Sequence, residues 1–316
     1  MKRPIKVLSI DGGGIRGLIP LFFLIQLEKA SGKRCHEIFD VVTGTSTGGI
    51  IALGLSKFTA QEVMDIYLED ANEMFQRNWW PRGPKYDADS KYKVLKKVFG
   101  TTPLSAAKIP TLVTAYDISR DLTYRLCSHW PDDILLMDRL EMSMAHAASA
   151  TSAAPTYFAP HMVESHVKEA PSIKYHHSFL DGGVFANNPS MEAIVYALDL
   201  YPAINRKDIR ILSLSTGSKD VIYDGNDVAS WWQISWLGPI IHILMDGTSK
   251  TVEAGVDALI DAGHYRVKPF LHHSDGALDS IGQENLHNLL LDAENMTKDF
   301  RDTLQVWTEY ALEGKV

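Results

Sequence analysis

Phe39-Asp-Val-Val-Thr-Gly44-Thr-Ser46-Thr-Gly48-Gly-Ile-Ile-Ala-Leu-Gly-Leu-Ser-Lys57 runs from a short apolar stretch, through a turn flanked by glycines, into a helix-forming segment. Phe39 to Thr43 reads as a buried strand, and Gly49 to about Lys57 as the helix that follows it. The turn between them, Gly44-Thr-Ser-Thr-Gly48, satisfies G-x-S-x-G in the strand-to-helix context that a nucleophile elbow needs. Glycines on both sides remove Cβ atoms where the chain doubles back, which leaves the Ser46 hydroxyl exposed beside a helix N-terminus. The same residues also suit an ordinary turn in which Ser46 only caps the helix.

The pattern recurs upstream, where Ile5 to Ile10 reads as a strand, Asp11-Gly12-Gly13-Gly14 as a turn and Leu18 to Ala30 as a helix ended by Ser31-Gly32. Three successive glycines let main-chain N–H groups converge on one anion, as an oxyanion hole requires. Arg16 in this loop either fixes the turn or meets a substrate phosphate. Gly12-x-Gly14-x-x-Gly17 also fits the dinucleotide fingerprint. Against an oxidoreductase, Asp11 would set negative charge beside a pyrophosphate, and the second strand runs into the serine turn instead of ending in an acid that could hold a ribose.

Farther along, helical patterns are predicted over Gln61 to Asn78, Ile134 to Ala150, Asn188 to Tyr201, Val252 to Ala262 and Glu284 to Glu313. Strands are predicted over Lys108 to Tyr116, Thr123 to Cys127, Ser178 to Leu180, Ile209 to Leu214 and Tyr265 to Val267, and Trp79 to Pro84 reads as a loop. Strands alternate with helices without a linker or repeat, so the expectation is one α/β domain over residues 1–316 with a mostly parallel sheet. The chain has 316 residues, 45% of them apolar and 22% charged, enough for a sizeable core. A formal charge of −8 argues against a nucleic-acid polymer as partner. Two distant cysteines, Cys35 and Cys127, suggest free thiols in a reducing compartment. No signal-type leader follows Met1, and no run of about eighteen apolar residues occurs. A cytoplasmic protein is expected, with export lacking a cleaved signal still open.

A third motif, Asp181-Gly182-Gly183, ends a predicted strand, with Asn187-Asn188-Pro189 soon after. The histidines, including His129, His146, His161, His166, His176-His177 and His272-His273, stand in no triad context, which leaves Asp181 as the best base for Ser46. The elbow also follows only the second predicted strand, earlier than in α/β-hydrolases.

Together, Asp11-Gly-Gly-Gly-x-Arg-Gly17, Gly44-Thr-Ser-Thr-Gly48 and Asp181-Gly-Gly183 resemble, in identity and order, the three signatures of patatin-like phospholipases. Ala150-Thr-Ser-Ala-Ala-Pro-Thr-Tyr-Phe158 and Asn187-Asn-Pro189 are similar to further motifs of that family. The resemblance implies a three-layer α/β/α fold and a Ser46/Asp181 dyad. Gly12, Gly13 and Gly14 would donate to the oxyanion, Arg16 would touch substrate, and no metal or cofactor would be required. It further implies hydrolysis of membrane phospholipids or lysophospholipids by a protein peripheral to the bilayer. It allows a nucleotide or protein activator, an oligomer, and a role as toxin or antiphage effector. A non-catalytic lipid-binding protein is the remaining alternative.

Two segments could meet lipid. Trp231 to Met245 is the most apolar stretch and suits either a membrane interface or a packed core helix. Trp79-Trp80 with Arg77, Arg82 and Lys85, extended by Lys91, Lys93, Lys96 and Lys97, suits anionic headgroups or a solvated face. Leu135, Met137, Met142 and Met144 read as core filler.

Overall fold

A computed structural model describes residues 3–79, 82–130, 140–167, 170–219 and 222–313. The first half contains β1 (Ile5–Ile10), α1 (Leu18–Ser31), α2 (Cys35–Ile38), β2 (Val41–Gly44), α3 (Thr47–Leu55), α4 (Ala60–Met74), α5 (Ala88–Phe99), β3 (Thr111–Asp117), β4 (Leu122–Cys127) and α6 (Met144–Thr151). The second contains β5 (His161–Val167), β6 (Ala170–Asp181), α7 (Gly183–Ala186), α8 (Ser190–Leu200), β7 (Ile209–Leu214), α9 (Gly225–Ala229), α10 (Leu237–Ile260), β8 (His264–Val267), α11 (Gln283–Asp299) and α12 (Arg301–Leu312).

The strands form one sheet in the order β5-β6-β3-β2-β1-β7-β8, with β4 also paired to β3. The central strand β1 runs parallel to β2, with Val7 opposite Val41, and to β7, with Ile5 opposite Ile209. All six residues of β1 are buried, because helices cover both faces. Ile5 and Val7 point to a cluster with Ala193 and Ile194 of α8 and Val256 and Ile260 of α10. Leu8 and Ile10 point to the other face, packed by α1, α3, α4, α11 and Trp307 of α12. The result is a helix layer, a mostly parallel sheet and a second helix layer, as expected.

Lys6 lies on the α12 side of β1, and its ammonium donates to the Tyr310 carbonyl at 2.7 Å. Burial pulls its pKa down to about 8.

Several elements differ from expectation. The Met- and Ala-rich helix begins only at Met144, capped by Ser143, whose hydroxyl accepts from His146 N–H at 3.3 Å. The expected start over residues 134–139 lies outside the described residues, as do Leu135 and Met137. An antiparallel hairpin of β5 and β6 replaces the short strand before Asp181. The later part of the apolar Trp231 to Met245 stretch, from Leu237, and the helix predicted from Val252 merge into the 24-residue α10. The lysines from Lys91 to Lys97 belong to the amphipathic helix α5.

Candidate active site

Ser46 stands between β2 and α3 with φ 56° and ψ −123°, a backbone conformation that L-residues rarely adopt. Such strain costs on the order of 1–3 kcal/mol and persists only where neighbours enforce it. Here they do. The Ser46 N–H donates to Thr151 Oγ1 at 3.0 Å, and the Thr45 hydroxyl donates to the Ala186 carbonyl at 2.6 Å. A Cβ on Gly44 would lie 2.1 Å from the Gly48 carbonyl oxygen, so the tight reversal depends on glycine.

Asp181 closes β6, paired there with Ala115 of β3, and is 3% exposed. Its Oδ1 accepts from the Gly183 N–H at 2.7 Å. Burial pushes its carboxyl up to about 6, against the influence of the nearby Ser46 hydroxyl, the hydrogen bond from the Gly183 N–H and the charge of Lys91, all of which favour the ionised form. A carboxylate so placed accepts protons near neutral pH far more readily than a solvated one.

Ser46 and Asp181 line one cavity of about 850 Å³. Its walls are mostly apolar, with Ile50, Met74, Phe75, Phe158, Ile241 and Met245 among them. Among the described residues no histidine lines it. His177 instead pairs with buried Asp117 at 2.7 Å, and His161 bonds to His146 at 2.9 Å.

The glycine loop after β1 packs against the serine turn, where a Cβ on Gly12 would come within 3.2 Å of Ser46 Cβ. The three glycines differ in how their N–H groups are used. The Gly12 N–H donates to the Asn187 carbonyl at 3.0 Å, whereas the N–H groups of Gly13 and Gly14 have no acceptor among the described residues. Gly14, at φ 58°, lines the cavity beside Ser46. Protein atoms crowd these glycines: added Cβ atoms would lie 2.1 Å from Thr216 Oγ1 at Gly13 and 2.0 Å from the Leu278 carbonyl oxygen at Gly14. A pyrophosphate needs that space.

Arg16 stands apart from Ser46. It does not line the Ser46 cavity; it faces a neighbouring polar one and donates to the Gly13 and Gly276 carbonyls, each at 3.4 Å. The loop is also held by a residue that sequence reading missed, Arg266 of β8, which grips both oxygens of buried Asp11 at 2.9 and 2.6 Å. No local pattern marks Arg266 for that task.

Lys91 was missed as well. Read with Lys93, Lys96 and Lys97 as a basic face, it is instead 2% exposed and lines the Ser46 cavity. Its ammonium donates to the Ser152 carbonyl at 2.8 Å and the Ser152 hydroxyl at 3.1 Å, and lies 4.2 Å from the Phe158 ring centroid. Burial pulls its pKa down to about 7. The signal was present, since Lys91 shares the buried stripe of Val94 and Leu95 at helical spacing. Among the described residues no three His, Cys, Asp or Glu side chains stand close enough to hold a metal ion.

Comparison with known proteins gives a consistent result. A family model described as Patatin-like phospholipase matches residues 8–194. Patatin-like protein 2 of Arabidopsis thaliana is 30% identical over 343 residues, covering 93% of this chain and 83% of the relative. Patatin-17 of Solanum cardiophyllum is 28% identical, covering 93% and 84%. The crystal structure of VipD from Legionella pneumophila superposes with a TM-score of 0.50 at 13% identity, covering 96% of this chain and 67% of VipD, a likeness of fold alone.

Proposed function

The chain belongs to the patatin-like phospholipase family, whose members are lipid acyl hydrolases, and on that premise we propose that it cleaves carboxylic esters of phospholipids or lysophospholipids through Ser46 and Asp181. One observation carries the proposal: a serine in a strained turn and a desolvated carboxylate line the same, mostly apolar cavity. Ser46 Oγ attacks the ester carbonyl carbon while Asp181 takes the hydroxyl proton. The resulting oxyanion is met by the N–H groups of Gly13 and Gly14, each donor worth on the order of 3 kcal/mol in the transition state. Asp181 then returns the proton to the departing alcohol, leaving acyl-Ser46. A water deprotonated by the same carboxylate releases the fatty acid and restores the hydroxyl.

The exposed side of the helix that walls the cavity, and a residue shortly before it, support a substrate held in a bilayer. Trp232 is 81% exposed, and Ile240, Ile243 and Leu244 stand 43–48% exposed on the first turns of α10, whose Ile241 and Met245 reach into the cavity. Large apolar side chains exposed on and beside a helix that walls the cavity favour lipid contact. Among the described residues no helix is long and apolar enough to cross a membrane, so attachment by this face would be peripheral.

The test is fatty-acid release from phospholipid vesicles by the wild type and by Ser46→Ala. The variant should lose at least about a thousandfold in rate with its fold intact, and a fluorophosphonate probe should label only the wild type. Hydrolysis surviving in Ser46→Ala would remove the dyad from the mechanism.

A further inference from the structure

Behind the glycine loop, at the C-terminal ends of β1, β7 and β8, lies a second cavity of about 540 Å³. That edge of a parallel sheet is where the loops of an α/β fold form a crevice for ligands. The turn Ser215-Thr-Gly-Ser-Lys219 after β7 lines one side, and His242, Asp246 and Ser249 of α10 line another. Met245 and Leu278 border both this cavity and the one that holds Ser46, so the two share a partition.

Its charge is unbalanced. Arg16, Lys219, Arg266 and Lys268 line it, against the carboxylates of Asp11 and Asp246. Asp11 is taken by Arg266, Asp246 by Lys250 at 2.6 Å, and Lys268 by Glu253 at 3.2 Å. Arg16 and Lys219 have no carboxylate within ion-pair distance among the described residues. They donate only to neutral acceptors, Lys219 to the Ser274 carbonyl at 2.7 Å and Arg16 through its two bonds of 3.4 Å. Arg16 is also buried, and although burial pulls it down to about 10 it stays cationic at neutral pH. A buried guanidinium with long bonds and no carboxylate in direct contact among the described residues is an arrangement that an anion would complete. Asn187 Oδ1, on the same cavity wall, is buried without a donor and can accept from a ligand hydroxyl.

We propose that this cavity is a phosphate-binding site, with Arg16 and Lys219 holding the oxygens of a phosphate ester. The ester is either the headgroup phosphate of the lipid whose acyl bond is cut at Ser46, a source that rests on the proposed hydrolase activity, or a free phosphate-bearing small molecule. Guanidinium and ammonium donors both suit phosphate oxygens, the fork of Arg16 reaching two at once.

The binding arm uses the full chain carrying Ser46→Ala, titrated with inorganic phosphate and followed by melting temperature. Phosphate should raise the melting temperature beyond chloride at matched ionic strength. Adding Lys219→Gln, at an exposed position with little risk to folding, should raise the phosphate needed by about tenfold. No shift beyond chloride, or an unchanged titration in the Lys219→Gln protein, overturns the site. The kinetic arm uses the wild type with a monomeric lysophospholipid and a phosphate-free short-chain ester. Phosphate that competes only against the lysophospholipid assigns the site to the headgroup; an effect on both substrates, or on neither, assigns it to a free ligand. A wild type that hydrolyses neither ester defeats the hydrolase reading, while the phosphate titration still decides the site.

Discussion

Asp181 carries its charge where the protein is least able to solvate it, and that fact sets both its chemistry and its cost. At pH 7–8 the carboxyl is ionised in folded and unfolded chains, but only the folded one is desolvated. Asp181→Asn should therefore stabilise the fold by on the order of 1–3 kcal/mol. The gain should be full above about 6, the raised value, shrink as pH falls from there, and be gone below the ordinary 3.8, where the wild type holds its proton in both states. Denaturant titrations across that range read it directly. The same substitution should cost orders of magnitude in kcat, since the base is lost. Lys91 bears on the same group: its ammonium favours the Asp181 carboxylate, so Lys91→Met should move the acid limb of the pH–rate profile to higher pH. An unmoved limb would separate Lys91 from the reaction. Ser46 and Asp181 were legible because glycine spacing and a carboxylate at a strand end leave local traces. Lys91 was hidden because burial of one lysine among four shows only after the helix and its apolar stripe are assigned.

Among the elements, α10 has two audiences: its Ile241 and Met245 face the cavity, while Ile240 and Ile243 on its first turns face outward. Burying an exposed Trp or Ile side chain is worth about 1.5–3 kcal/mol, and 1.4 kcal/mol is a factor of ten. Trp232→Asp with Ile240→Asp should accordingly lower vesicle hydrolysis at least about tenfold relative to hydrolysis of a soluble monomeric ester. Equal losses on both substrates would place the damage elsewhere. In the sequence this helix looked like two separate pieces, because its apolar start carries no capping signal and its later turns are polar on one side. The β5-β6 hairpin was missed for a related reason. A strand with His161, Glu164, His166, Lys174 and His176 shows no apolar run, since the hairpin lies at the sheet edge with Met162, Lys174 and His176 exposed.

For the molecule as a whole, the sheet was legible because buried parallel strands read as short apolar runs between helices. Which loops meet at its C-terminal edge was not, because Asp11 and Arg266 are 255 positions apart and only the folded chain joins them. The C-terminal helices are similarly bound in. Trp307 is fully buried against Phe39 at 5.3 Å and Tyr265 at 5.8 Å. Trp307→Ala should destabilise the protein by about 3–5 kcal/mol, measured by chemical denaturation, although Trp307 does not line the cavity. The pairing of β1 with β7, a strand completed some two hundred residues later, also has a consequence for synthesis on the ribosome. At translation speeds of about 5–20 residues per second, roughly 10–40 s separate the emergence of the Ser46 turn from that of the arginine that clamps the glycine loop. The nascent polypeptide thus displays the strained serine turn long before the neighbouring glycine loop can be clamped, and the cavity is complete only when translation is nearly done.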